Sequence, residues 1–188
     1  MKKESFGILT LKGVGFVILG NVLCLIMTMA IFVFGSNFFI KALAIAFSAV
    51  IFFSLVFTAA WKNGVKERKL VKFGRVENES KYRWIAIGII MFAVAAAPSV
   101  FLLFNKLFFP ERDNLLIYQF ISGSAYPLVL TFTPQIDVLV TQESRVECMS
   151  VLFPALMIVY YALIPFFTQL GYWLGFNDKL NTDRIMYK

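Results

Sequence analysis

The sequence predicts an all-α polytopic integral membrane protein. Four transmembrane helices form two antiparallel hairpins, with an outer interfacial or re-entrant segment between helices three and four. Three observations carry this. Of 188 residues, 60% are hydrophobic and 15% charged, with a mean hydropathy of +0.77; globular domains hold about 45–50% and about a quarter. Four apolar stretches reach the roughly 20 residues that a helix needs to cross a hydrocarbon core. Lysine and arginine gather at alternate flanks of those stretches, as orientation in a membrane requires.

The first stretch runs from about Val14 to Phe34 and the second from about Phe38 to Ala60. Only Gly35-Ser36-Asn37 separates them, so the two helices must be antiparallel neighbours. The basic start at Lys2 and Lys3 resembles a signal peptide, but the apolar run from Gly13 to Phe34 is too long for a signal core. Leu23 before Cys24 also spoils a lipoprotein box. The first stretch is therefore expected to be a retained span.

A basic segment follows, from Trp61 to the start of the third stretch. Eight cations (Lys62, Lys66, Arg68, Lys69, Lys72, Arg75, Lys81 and Arg83) face only Glu67, Glu77 and Glu79. Residues 61–83 are expected to form a cytoplasmic loop with a short helix lying along the membrane. Lys66, Arg68, Lys69 and Lys72 are its candidate contacts to anionic lipid or to a protein partner, and anionic headgroups attract each such cation by about 1 kcal/mol. Trp61 and Trp84 bracket the segment as interfacial anchors.

The third stretch spans Trp84 to about Phe108 and the fourth about Met149 to Trp173. The region 109–148 between them reverses the charge balance, with Glu111, Asp113, Asp137, Glu143 and Glu147 against Arg112 and Arg145. It is therefore expected outside, and both termini inside. Residues 113–141 hold enough apolar side chains to suggest a fifth span, but Ser122-Gly123-Ser124-Ala125-Tyr126-Pro127 interrupts them and Pro134 ends them. A short helix, a break and a second apolar piece are expected there. The whole chain, 1–188, reads as one membrane domain.

The residues that carry chemistry are few. There is no His, which removes its general bases and metal ligands. No Asp or Glu falls within the four stretches, whereas ion-coupled transporters usually hold a carboxylate near mid-membrane. Lys41 and Lys106 lie near the outer ends of their stretches and are expected to reach the headgroups. Depth counting places Asn21, Tyr161 and Thr168 at a shared level, a candidate set of hydrogen bonds between helices worth about 0.6 kcal/mol each. Pro98, Pro154 and Pro165 each free a carbonyl inside a helix. Ala93 with Ala97, and Gly171 with Gly175, have the small-x-x-x-small spacing that lets helices pack closely.

The outer carboxylates Glu111, Asp113, Glu143 and Glu147 lack the converging geometry of a cation site. Cys24 and Cys148 are expected at different depths and therefore as free thiols. No Gly-rich phosphate loop or nucleophile elbow is present. The sequence thus points to no catalytic, cofactor or metal site. It favours an accessory, scaffold or organising subunit acting through membrane lipids, a protein partner or a second copy, with no role for nucleic acid. The alternatives are an oligomeric transporter or channel for a small solute and a membrane-embedded enzyme acting on lipid or peptide.

Overall fold

The computed structural model describes residues 4–35, 37–74, 82–132 and 145–177. The sequence readings that rest on Lys2, Lys3, Arg75, Glu77, Glu79, Lys81, Pro134, Asp137, Glu143 and the tail beyond Asn177 lie outside the described residues. Of the described residues, 86% are helical. The long elements are α1 (Phe6–Phe32), α2 (Phe38–Lys72) and α3 (Arg83–Phe108). Then come α4 (Leu115–Ile121), a 3₁₀ turn (Gly123–Ala125), α5 (Tyr126–Phe132), the short α6 (Arg145–Cys148), α7 (Leu152–Tyr161) and α8 (Ile164–Phe176). Four helical stretches, α1, α2, α3 and Leu152–Phe176, are long and apolar enough to cross a membrane.

Local chemistry fixes the ends. Ser5 caps α1, its hydroxyl accepting from the Ile8 N–H at 3.4 Å, which satisfies one of the donors that a helix start leaves open. Gly74 closes α2 at φ +66°, with its N–H bonded to the Val71 carbonyl at 3.0 Å. That left-handed conformation suits glycine because a Cβ would crowd the backbone. Pro165 falls in the first turn of α8, where its missing N–H leaves no intrahelical bond unmade.

The second helix departs from the sequence expectation. Residues 61–72 do not form a separate helix along a membrane surface; they continue α2 as one element. The reason lies in their spacing: Ala60, Asn63, Gly64, Glu67 and Leu70 are all buried, and their intervals of three and four residues make one helical face. Good helix formers occupy most of the intervening positions. Charge density marked this segment as a loop, but burial makes it a wall.

Two compact units divide the chain, and α1, α2 and α3 contribute to both. The first comprises Met1–Val17, Phe53–Phe92 and Leu163–Lys188; the second comprises Ile18–Phe52 and Ala93–Ala162. In the first, α2 and α8 approach backbone to backbone. A Cβ on Gly171 would lie 2.6 Å from the Phe57 carbonyl oxygen, and Cβ atoms on Gly64 and Gly175 would collide with the Tyr172 and Trp61 carbonyls. Phe53 stacks on Phe167 with ring centroids 4.7 Å apart. The Gly171–Gly175 pair is therefore at a helix contact. Ala93 and Ala97 are exposed in the single chain, and the buried alanines of α3 are Ala95 and Ala96. Spacing alone does not tell which face of a helix packs.

In the second unit, the apolar core joins Leu102 of α3, Leu115 and Tyr118 of α4, Val129 of α5, and Phe153 and Met157 of α7. The pieces on either side of Ser122 are bent by 106°. Outward positions of the long helices are largely apolar, among them Ile18, Val22 and Ile26 on α1 and Ile89, Phe101 and Phe104 on α3.

Candidate functional sites

Two polar constellations stand out, one in each unit. In the second unit, Asn21 on α1 faces the 3₁₀ turn. Its side-chain oxygen accepts from the Ser124 backbone N–H at 3.1 Å and from the Ser124 hydroxyl at 2.7 Å. A backbone N–H only donates, so the amide must turn its oxygen to the loop. The serine proton is then committed to Asn21, and the Tyr161 hydroxyl, 3.0 Å away, must donate to the Ser124 oxygen. The result is a directed chain Tyr161→Ser124→Asn21 that ties the turn to α1 and α7. The turn also sits against α1 closely, since a Cβ on Gly123 would strike the Asn21 carbonyl.

The structure therefore brings Asn21 and Tyr161 together through Ser124, a residue the sequence reading assigned no role. Thr168 does not join them. Its hydroxyl lies 2.9 Å from the Pro165 carbonyl and 3.2 Å from the Trp84 carbonyl, within the first unit. Depth counting measures height along a helix but not the direction in which a side chain leaves it. Other polar groups of the second unit also pair internally. Cys24 donates to the Ser48 carbonyl at 3.3 Å, the Thr28 and Ser48 hydroxyls are 3.1 Å apart, and Ser99 lies 3.1 Å from Tyr118. Lys106, expected to reach headgroups, donates to the Glu147 carbonyl. Cys24 and Cys148 are free thiols.

The first unit also holds ions. Glu67 is 5% exposed and is clamped from both sides. Arg83 Nη1 donates to one carboxylate oxygen at 3.1 Å and the Tyr172 hydroxyl donates to the other at 2.7 Å. Arg83 also donates to the Glu4 carbonyl. Burying a carboxylate is costly unless it is paired and bonded, and here α2, α3 and α8 each supply a part. The sequence reading treated Glu67 as a counter-charge in a loop. The signal that identifies it is its place on the buried face of α2, four residues after Asn63 and three before Leu70.

Beside this network lies a cavity of about 380 Å³ lined by α1, α2 and α3. Glu4 bridges two of its lysines, with Lys12 Nζ at 2.8 Å and Lys66 Nζ at 2.6 Å. The ammonium groups of Lys12 and Lys66 hold the Glu4 carboxyl below the usual carboxylate range. Of the four cations proposed from sequence to meet lipid or a partner, Lys66 faces this cavity and Arg68 is half-buried, whereas Lys69 and Lys72 are exposed. Among the described residues, no cluster of His, Cys, Asp or Glu has the arrangement of a metal site.

Comparison with protein-family models, curated proteins and solved structures finds no match.

Proposed function

We propose that this is a multi-pass protein of the plasma membrane, with both termini cytoplasmic, that acts as an accessory or organising subunit through lipid and protein contacts. One observation carries the reading. Several polar side chains between helical elements bond to one another, as in Tyr161–Ser124–Asn21 and Thr28–Ser48, while outward positions of the long helices are largely apolar. Side chains so engaged hold helices together and present a surface that lipid or another apolar helix would cover. The sidedness follows from the cations at the start of α1 and the end of α2, set against the acidic region 109–148. The test is gentle extraction followed by mass analysis of what co-elutes. A stoichiometric protein or a retained lipid class is the expected result; a bare monomer with neither would defeat the reading.

A solute pathway is the second reading. It is favoured by the pair of short helices bent through 106°, because re-entrant backbone is tolerated where protein or a water-filled cavity satisfies it. The two readings differ on whether water reaches Ser124.

A further inference from the structure

We propose that the cavity between the start of α1, the latter part of α2 and the start of α3 binds the phosphate of an anionic glycerophospholipid headgroup. This deepens the lipid-contact reading above and rests on it.

The first argument is unmet donor capacity. Asn63 is 8% exposed and Trp84 2% exposed, and both line the cavity. The Asn63 side-chain N–H₂ and the Trp84 indole N–H are buried and have no hydrogen-bond partner among the described residues. Leaving such donors unpaired is costly, and side chains of the wall must shift before an anion in the cavity accepts from them.

The second argument is charge. Lys12, Lys62 and Lys66 line the same space. Glu4 is the single carboxylate among the lining residues, so three positive charges against one negative leave two positive. Each Glu4 oxygen is held by a lysine, Lys12 on one and Lys66 on the other, which fixes those two ammonium groups at the cavity wall. Lys62 forms no ion pair among the described residues and is exposed. Arg83 is already matched by Glu67. The excess suits a phosphate, which carries one or two negative charges and accepts from several donors at once.

The third argument selects a lipid over a soluble phosphate. Leu9, Gly13, Phe16 and Ala59 complete the lining, giving the donors an apolar continuation along α1 and α2 where an acyl chain would lie. The volume falls at the lower end of the range of about 300–1,000 Å³ typical of ligand sites.

The test compares two double variants of equal charge. Lys12→Gln with Lys62→Gln alters exposed side chains of the cavity and leaves Lys66 bound to Glu4; Lys69→Gln with Lys72→Gln alters exposed side chains outside it. Each protein is placed in nanodiscs of mixed anionic and zwitterionic phospholipid, released into mild detergent and weighed by native mass spectrometry. Retained anionic lipid should fall about tenfold in the first variant and hold at the wild-type level in the second. An uncharged filler, Ala59→Phe, should lower it as well. Equal loss in the two double variants would overturn the cavity site and leave a diffuse attraction to lipid, which preserves the broader reading. Displacement of the retained lipid by millimolar inorganic phosphate would overturn the lipid assignment in favour of a soluble phosphate. Absence of anionic lipid from the wild type would overturn the proposal outright, and co-elution of a protein partner would then decide whether the broader reading stands.

Discussion

The two units solve the same problem with different chemistry. In the first, polar contacts between elements are mainly ionic: Glu67 with Arg83 and Tyr172, and Glu4 with Lys12 and Lys66. In the second they are mainly neutral: Asn21, Ser124 and Tyr161, then Thr28 with Ser48, and Ser99 with Tyr118. Ions are costly to bury, and each needs a complete set of partners. Amides and hydroxyls cost less and contribute less when paired. The ionic unit should therefore be brittle toward single substitutions, and the neutral unit forgiving.

The largest effect should come from Glu67. Replacing it with Leu leaves Arg83, whose side chain is 12% exposed, without its carboxylate. The loss of stability should be about 3–5 kcal/mol, the cost of an orphaned buried charge. Chemical unfolding in detergent measures it, and a loss below 1 kcal/mol would mean that water already reaches the pair. Next comes Gly175→Val, which pushes α8 away from the Trp61 carbonyl. Overpacking of this kind costs about 1–3 kcal/mol and should separate α2 from α8. The same substitution at exposed Ala97 should be nearly silent, which sharpens the difference between two small-residue pairs of identical spacing.

In the neutral unit, Asn21→Leu should cost about 1–2 kcal/mol, since it leaves the Ser124 N–H without its acceptor. An effect as large as that of Glu67→Leu would break the comparison. The smallest effect is that of pH on Glu4. Its carboxyl is held below the usual range by Lys12 and Lys66, so folding binds fewer protons there than the unfolded chain does. Its contribution is fully present above the ordinary carboxylate pKa of about 4.3 and fades as pH falls through the lower folded value. Unfolding midpoints of the wild type and Glu4→Gln should converge over that acid window. The gap at neutral pH should be small, because the pairs are partly solvated.

These contrasts also mark what a sequence discloses. Apolar length identified four long helices, and two of its limits fell short where helix outlasts hydrophobicity, at Phe6 and Lys72. The break after Ile121 was legible because Gly and Pro punctuate it, yet Ser124 was not recognised as the partner of Asn21. Pairing across 103 residues is decided by how the turn docks, which local pattern does not record. Glu67 was hidden differently. Among so many cations its charge read as balance, although its helical register with Ala60, Asn63 and Leu70 placed it on a buried face. Ala93 and Ala97 show the opposite case, a motif of the same spacing on an exposed face.

Whether the protein works by contact or by passage turns on the Ser124 level. The most direct measurement uses a background in which Cys24 and Cys148 are replaced by Ala, with a single cysteine placed at Ser124 or at exposed Arg112. A small water-soluble methanethiosulfonate is then applied to the protein in native membranes. The contact account predicts rapid modification at position 112 and none at position 124, where the side chain is 1% exposed and bonded to Asn21 and Tyr161. Comparable rates at the two positions would place water at the centre of the second unit and contradict it.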